Sequence, residues 1–312
     1  MDSLLLSVEA VTPIFLLMLL GYGLKQFKMA TKDQFNAINR LIFKVFLPLH
    51  LFYSVYKTDI KTFFDGKLIL FAVITVLIVF AVGYGLVFLF TKENAKRGVM
   101  LQGFFRSNFA ILGIPLVNYI CGEAAGGLSA LIVAIIIPLY NILAVITLER
   151  FRDGKIQFGK LLKGIATNPL VVSCLIGVIF LALGIQLPSL VETTVNDAAS
   201  IASPLAIVVL GASFNFSTIK TSIKELAITV CTRLLIVPAL AIAAAVWLGF
   251  RGEALVCLMV AFGAPTAVSS FSMAQQMGGD EELAAQIVVF TSALCLFSLF
   301  GWIFLLSSLQ LF

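Results

Sequence analysis

Charged side chains are scarce in this sequence. Asp, Glu, Lys and Arg make up 12% of its 312 residues, whereas a soluble domain carries about 25%. Hydrophobic residues make up 61% instead of about 45–50%. They form repeated runs of roughly 20 residues, each long enough to cross a hydrocarbon core about 30 Å thick. The lack of charge excludes a soluble domain and predicts a polytopic membrane protein.

The residue types that build metal sites, disulfides and catalytic clusters are also few. The chain has a single histidine, His50, and five cysteines that stand alone in apolar runs without a CxxC pair. We therefore predict buried free thiols, no disulfide framework and no metal site. The HExxH, GxSxG, Walker and dinucleotide-binding motifs are absent. The sequence thus predicts no catalytic residues, no cofactor and no enzymatic activity.

Apolar runs bounded by charged or turn residues predict an all-α membrane protein with ten transmembrane helices. With the N-terminus placed outside, the inside loops hold 13 Lys and Arg residues and the outside loops hold 4. This bias predicts both termini outside in a multi-pass membrane protein, and it accounts for the net charge of +5 without a nucleic-acid partner. The helices are placed near 4–24, 34–55, 67–91, 94–121, 124–148, 168–185, 189–213, 222–249, 252–277 and 282–310.

The sequence has the pattern of a duplicated five-helix unit. A short basic connection at 149–167, predicted as a cytoplasmic linker lying on anionic lipid, separates a first half at 1–148 from a second half at 168–312. Each half has five predicted helices, and because five is odd the second copy must enter the membrane from the opposite side. The markers that recur in the same order, 150–156 residues apart, are Pro13 and Pro169, Gly21 and Gly177, Pro48 and Pro204, Arg97 and Arg251, and Gly113-x-Pro115 and Gly263-x-Pro265.

The two Gly-x-Pro sequences predict breaks in the fourth helix of each half. Glycine loosens a helix and proline removes one of its hydrogen bonds, and such interruptions in matching positions indicate a transport site. We interpret each span as two half-helices whose free amide groups and positive dipole ends suit a carboxylate. The alternative is a simple proline kink, which we expect at Pro138 and Pro238. The residues placed at the breaks are Gly113, Ile114, Pro115, Gly263, Ala264 and Pro265.

Polar residues accompany both breaks, although such residues are costly inside a membrane and are usually directed toward the protein interior or a water-filled path. Arg106 either neutralises the substrate or extends to an aqueous face as a structural cation. Asn141 either touches substrate or makes a polar contact between helices. His50 is expected to pack near the membrane boundary. The polar residues near the breaks are Arg106, Ser107, Asn108, Thr266, Ser269, Ser270, Gln275 and Gln276.

The sequence resembles the auxin efflux carrier family, which contains the plant PIN-FORMED carriers and bacterial dicarboxylate permeases. The resemblance covers nearly the whole chain. It rests on INRLIFKVFLPLHLF at 38–52, SNFAILGIPLV at 107–117, TNPLVVSCLIGVIF at 167–180 and LGASF at 210–214. It implies two inverted five-helix repeats of the bile-acid symporter and antiporter type, with broken crossover helices 4 and 9. It further implies scaffold and transport domains, a homodimer and elevator-type movement of small organic anions.

The same resemblance implies roles for individual residues. Asn108 becomes the leading ligand of the substrate carboxylate, Pro115 and Pro265 mark the crossover, and Asn39 belongs to a support site, with which we group Arg106 and Gln275. The long central loop of the plant carriers is absent, so phosphorylation control through such a loop has no basis. Arg106 precedes the asparagine where an uncharged residue is expected, which counts against auxin itself as the substrate.

The sequence therefore predicts a secondary transporter of small organic carboxylates, either auxin-like or mono- and dicarboxylate anions. No acidic residue lies clearly at mid-depth of a span, so the coupling ion stays open. One alternative is a sodium-coupled symporter of the bile-acid type, which strict sodium dependence would reveal. The other is a sensor that keeps the carrier fold and binds its ligand without moving it.

Overall fold

The computed structural model describes residues 2–58, 65–122, 126–152 and 158–312, and in these ranges the chain is helical without a named β-strand. Three π-helical turns are present: those at Ile42–Phe46 and Thr232–Ile236 join two α-helices directly, and the one at Phe109–Gly113 leads into α6. The first eight α-helices are α1 Asp2–Gln26, α2 Lys32–Leu41, α3 Leu47–Tyr56, α4 Gly66–Phe90, α5 Asn94–Phe105, α6 Ile114–Cys121, α7 Gly126–Arg152 and α8 Phe158–Thr167. The others are α9 Pro169–Leu183, α10 Ser189–Ser213, α11 Ile223–Cys231, α12 Val237–Trp247, α13 Gly252–Gly263, α14 Ser269–Met277 and α15 Glu281–Ser308.

Helices lie where the apolar runs predict them. The predicted span at 189–213 coincides with α10, and the span at 222–249 corresponds to α11 and α12 with the π-turn between them. Six helices of the described residues are long and apolar enough to cross a membrane, from Lys32–Tyr56 to Glu281–Ser308. The chain is therefore an all-helical, multi-pass membrane protein.

The predicted linker at 149–167 is partly helical. Its first residues are the last turn of α7, and its last ten residues form α8. Residues 153–157 lie outside the described ranges. The helix α8 packs against α7 and α9, so this part of the connection is folded onto the helices that it joins.

A proline is the second residue after each of the three π-turns. The prolines are Pro48, Pro115 and Pro238, each in the first turn of the next α-helix. A proline has no N–H to donate to the carbonyl four residues earlier, and its ring crowds that carbonyl. A widened turn with bonds between residues five apart accommodates both effects. Pro238 therefore accompanies a π-turn, whereas the simple kink expected there would leave the preceding turn α-helical.

Two glycines allow pairs of helices to approach closely. A Cβ at Gly21 in α1 would lie 1.8 Å from the carbonyl oxygen of Val208 in α10. A Cβ at Gly177 in α9 would lie 3.0 Å from the carbonyl oxygen of Phe52 in α3. Gly177 follows Gly21 by 156 residues, and Val208 follows Phe52 by the same 156. The α1–α10 and α9–α3 contacts are thus formed by residues at corresponding positions of the two halves. Gly21 of the first half contacts Val208 of the second, and Gly177 of the second half contacts Phe52 of the first.

The helices can be divided into two closely packed groups, which contacts of α1 with α15 and of α7 with α9 join. In one, α1 lies along α10, and α3 lies along α9 and α10. In the other, α5 packs against α4, α7, α11 and α15, and α12 packs against α13. The interrupted stretches after α5 and after α13 belong to the second group and are the structural setting of the site.

Candidate functional site

Two non-helical segments meet in the interior of the protein. After α5 the backbone is extended from Arg106, and after α13 it is extended from Ala264. The amide of Asn108 donates to the carbonyl oxygen of Pro265 at 2.8 Å, and Ser107 pairs with Thr266 in an antiparallel bridge. All of these residues are buried. Irregular backbone at such a depth requires partners inside the protein, and here each segment supplies partners to the other.

The structure corrects the predicted position of the first break. Gly113 has helical backbone angles, with φ −75° and ψ −48°. The interruption lies at 106–108, and the chain is helical again from Phe109. Pro115 is exposed on the outer side of α6 and does not reach the site, whereas Pro265 is buried within the second break. The two Gly-x-Pro sequences are therefore not structurally equivalent, because α5 and α13 end 158 residues apart and not 150.

The other residues of the two Gly-x-Pro sequences also differ in their positions relative to the breaks. Gly113 packs under the ring of Phe109, which a Cβ would approach to 2.3 Å. Ile114 begins α6. Gly263 ends α13, and Ala264 is fully buried at the start of the second break. The second sequence thus lies at the crossing point, and the first lies beyond it.

A small cavity of about 50 Å³ adjoins the two breaks, which is room for a few water molecules. One wall is formed by α3 and α10, and the other by the residues around the breaks and by α7. The cavity therefore lies between the two groups of helices. Its polar lining comes from His50, Arg106, Ser107, Asn108, Tyr140, Asn141, Ser203 and Ser269.

Arg106 is the charged group of this cavity. Its side chain is 2% exposed. Nη2 donates to Oδ1 of Asn141 at 2.8 Å and to Oγ of Ser269 at 3.0 Å, while Nη1 contacts Gln102 and the sulfur of Met273. All of these partners are uncharged, and none of the ion pairs among the described residues includes Arg106. A desolvated guanidinium without a counter-charge is costly, so this side of the cavity favours an anion.

Asn108 and Ser107 present free polar atoms beside the guanidinium. Nδ2 of Asn108 and Oγ of Ser107 are buried and have no hydrogen-bond partner among the described residues. Buried donors are normally satisfied, and leaving one unpaired costs about 1–3 kcal/mol. Both residues line the cavity, so a ligand oxygen placed there would accept from them.

A second buried arginine, Arg233, lies at the carboxyl ends of α5 and α13. It is fully buried in the π-turn between α11 and α12. Nε donates to the carbonyl oxygen of Ala264 at 2.8 Å, and the two Nη atoms lie 3.4 Å from the carbonyl oxygens of Phe104 and Ala261. Hydroxyl groups complete the crossing, since Thr266 bonds to Gly103 and to Thr291. The guanidinium of Arg233 and the hydroxyl of Thr266 donate to carbonyl groups at or next to the helix ends, which helices leave without partners, and the amide of Thr266 donates to Oγ1 of Thr291.

The predicted support residues are only partly brought together. Nδ2 of Asn39 donates to Oε1 of Gln275, and Gln275 donates in turn to Asn36 and, at 2.8 Å, to Glu281. This network joins α2 to α14 and α15. Arg106 is not part of it, because its contacts place it at the cavity with Asn108.

Sequence reasoning missed several residues of the site. Arg233 lies within the predicted span at 222–249, and no neighbouring residue in the sequence indicates which carbonyl groups it contacts. His50 is expected at the membrane boundary but lines the cavity with Tyr140 and Ser203. The proximity of these residues to the breaks arises from packing between helices that are far apart in the sequence.

The cysteines are free, as the sequence predicts, but they are not all buried. Cys174, Cys257 and Cys295 are buried, whereas Cys121 is half-buried and Cys231 is exposed on α11. The prediction of buried thiols is wrong for Cys231, because an apolar helix of a membrane protein also has an outer face. Within the described ranges, no three His, Cys, Asp or Glu side chains are grouped to hold a metal ion.

Comparisons with known proteins find similarity to membrane transport proteins. A family model described as "Membrane transport protein" matches residues 6–303. The chain is 25% identical to an uncharacterized transporter of Methanothermobacter thermautotrophicus, over 95% of this chain and 97% of that protein. It is 24% identical to the uncharacterized transporter YfdV of Escherichia coli K12, over 89% and 92% of the two chains. It is 25% identical to a putative malonate transporter of Rhizobium meliloti, over 96% and 95%.

Proposed function

The chain belongs to the membrane transport protein family of the auxin efflux carrier type, and we propose that it is a secondary transporter of small dicarboxylate anions. The observation that carries the proposal is Arg106, a buried guanidinium that lines the cavity and contacts only uncharged partners among the described residues. A substrate carboxylate supplies the missing counter-charge. Nδ2 of Asn108 and Oγ of Ser107 donate to the same ligand.

The charge at the cavity suits two carboxylates better than one. The second half-helices begin at Phe109 and at Ser269, and each amino end carries about half a positive charge. Arg233 balances the carboxyl ends of α5 and α13, which carry about half a negative charge each, so these ends do not cancel the field at the cavity. Arg106 and the two amino ends together then present about two positive charges.

The dicarboxylate class also agrees with one relative. The similar protein of Rhizobium meliloti is named a putative malonate transporter, and malonate is a small dicarboxylate. Auxin-like monocarboxylates leave one of the positive charges without a partner. The present cavity of about 50 Å³ has to widen to admit even a small anion, and the proposed movement of the two groups of helices that enclose it would provide the room.

The architecture of the proposal is a ten-helix fold of two inverted five-helix repeats. Its support is the exchange of contacts between Gly21 and Val208 and between Gly177 and Phe52, at a constant spacing of 156 residues. Under this proposal α5 with α6, and α13 with α14, are the crossover helices 4 and 9. The helices α1, α2, α3, α9 and α10 form the scaffold domain, and the helices around the crossing form the transport domain that moves as an elevator.

The setting of the proposal is a homodimer in a bacterial plasma membrane with both termini outside. The orientation rests on the excess of Lys and Arg in the loops between the first and second, third and fourth, fifth and sixth, and seventh and eighth predicted spans. The dimer rests on the resemblance alone. Neither is required for the chemistry at Arg106.

The substitution Arg106→Gln tests the substrate class. Removing one partner of a buried charge pair costs about 2–5 kcal/mol, and 1.4 kcal/mol is about tenfold in affinity. We expect the Kd for malonate to rise by about 30-fold or more. The Kd for a monocarboxylate of similar size is expected to rise less, because Asn108 and the helix ends still bind its single carboxylate. Isothermal titration of the purified protein gives both values.

The control for this experiment is Arg40→Gln, which removes an exposed arginine of α2. It is expected to leave both Kd values unchanged. Wild-type malonate affinity in a folded Arg106→Gln variant would contradict the proposal. Uptake of labelled malonate into sealed proteoliposomes separates a carrier from a sensor, since a sensor binds malonate without moving it across the membrane.

A further inference from the structure

Arg233 lies where a transporter with broken helices would hold a coupling cation. In such proteins, the carboxyl ends of half-helices and the carbonyl groups of unwound backbone coordinate the coupling ion, Na⁺ or H⁺. Here the carboxyl ends of α5 and α13 converge on one guanidinium, which contacts carbonyl groups of both. Arg233 is also the eleventh residue of the 25-residue candidate span Ile223–Trp247, near its middle.

The contacts of Arg233 are those of a bound cation. It reaches one carbonyl oxygen of α5, at Phe104, and two after or within α13, at Ala261 and Ala264. None of the ion pairs among the described residues includes it. The two helix ends together carry about one negative charge, which the single guanidinium balances. The charge that stabilises the crossing is therefore supplied by the chain.

We infer that Arg233 replaces the coupling cation of this fold, so that the protein transports its substrate without binding Na⁺ at the crossing of the two breaks. The inference rests on the proposed transport function. It distinguishes this chain from the sodium-coupled symporter that the sequence leaves open. It also makes Arg233 a positioning residue, because it holds the ends of α5 and α13 together and does not line the cavity.

The first test uses the wild-type protein without substrate. We expect the same Tm in NaCl, KCl and choline chloride at equal ionic strength, because the guanidinium of Arg233 already contacts the carbonyl groups that Na⁺ would need at the crossing. We also expect malonate uptake by proteoliposomes at equal rates with Na⁺ or choline outside. A saturable rise of Tm with Na⁺, or uptake that requires Na⁺, would overturn the inference.

The second test removes the internal cation. In Arg233→Ala, three carbonyl groups lose their donor and we expect Tm to fall by about 5–10 °C. A small cation that enters the vacated space should restore part of this loss by mass action. Guanidinium at about 10 mM, far below denaturing concentrations, and Na⁺ are the two probes, with choline as the reference. Arg40→Ala, at an exposed arginine, is expected to respond to none of them.

A folded Arg233→Ala protein with the same Tm in guanidinium, Na⁺ and choline would contradict the inference. If that variant does not fold, Arg233→Lys decides, since it keeps the charge but loses the planar fork of donors. We expect Arg233→Lys to fold and to have the same Tm with and without Na⁺. If Arg233→Lys also fails to fold, this result would count against the role of the charge. Failure of the dicarboxylate proposal would be distinguishable. In that case the wild-type protein would show no response of Tm to Na⁺ and would also neither bind nor take up malonate.

Discussion

At the residue scale, two buried arginines near the crossing differ in their surroundings. Arg233 contacts backbone carbonyl groups at helix ends, which carry negative charge, and it does not line the cavity beside the breaks. Arg106 contacts neutral side chains and lines the cavity. A buried charge needs a compensating charge, so Arg233 is complete within the chain and Arg106 requires a ligand. This difference, and not the residue type, assigns their roles.

Substituting Asn108 tests the second ligand group. Its Nδ2 is buried beside the cavity and has no hydrogen-bond partner among the described residues. In Asn108→Ala we expect the Kd for malonate to rise by about 10- to 100-fold, as for a lost hydrogen bond to a charged group. The Tm without ligand should change little, because a donor that was already unpaired is removed.

Asn196→Ala is the matched control for Asn108, since Asn196 is an exposed residue of α10. It should leave affinity and Tm unchanged. Titration of malonate into each purified variant, with thermal unfolding of the same samples, gives the measurement. An Asn108→Ala protein that is folded and binds malonate as wild type does would exclude Asn108 from the site.

At the element scale, helix ends and proline positions decide the geometry of the crossing. The break after α5 precedes Pro115 by seven residues or more, and a π-turn absorbs the missing N–H of that proline. The break after α13 contains Pro265, whose carbonyl oxygen accepts from Asn108. Proline is therefore compatible with either arrangement, and its presence in a span does not by itself locate the break.

The exposed position of Pro115 leads to a prediction that separates the two Gly-x-Pro sequences. In Pro115→Ala the side chain lost lies outside the site, so we expect the Kd for malonate to stay within about twofold of the wild type, a change of less than about 0.5 kcal/mol. Stability should change modestly, since the π-turn can relax to a regular helix. Binding measurements on Pro115→Ala check this, and a loss of affinity comparable to that of Asn108→Ala would show that the first break extends to Pro115.

The close approach of α1 and α10 gives a second prediction at this scale. In Gly21→Ala the added methyl group meets the backbone oxygen of Val208, which a rotamer change cannot move. Overpacking of this kind costs about 1–3 kcal/mol, and we expect a corresponding loss of stability in thermal unfolding. Gly23→Ala is the control on the same helix, where the nearest atom is a ring carbon of Phe27 at 3.9 Å. Equal stability of the two variants would contradict the packing of α1 on α10.

At the scale of the whole molecule, the two groups of helices enclose the cavity between them. The α3 and α10 wall contributes His50 and Ser203, and the facing wall contributes the polar residues around the breaks. Under the proposed function, access of a substrate to the cavity depends on the relative position of the two groups. This arrangement supports the elevator proposal, in which the crossing and its ligands move together against α3 and α10.

The orientation of the molecule in the membrane is tested by cysteine labelling. The positive-inside bias places Lys92, between α4 and α5, inside and Gln186, between α9 and α10, outside, and both residues are exposed. We expect an impermeant maleimide to label Gln186→Cys but not Lys92→Cys in right-side-out membrane vesicles. The background carries Cys121→Ala and Cys231→Ala, because the other three cysteines are buried. The opposite pattern would place the termini inside.

The sequence by itself determined the membrane class, the positions of the helices and the family, because apolar runs bounded by charges and turns report directly on which segments can leave water. It also identified Arg106, Ser107, Asn108, Thr266 and Ser269 as polar residues near a break. Only the tertiary structure decided that the break lies at 106–108, that Pro115 is outside the site, and that Arg233 joins the ends of α5 and α13. These features depend on which backbone groups lack partners after helices distant in the sequence have packed, and local hydrophobicity and spacing carry no information about that.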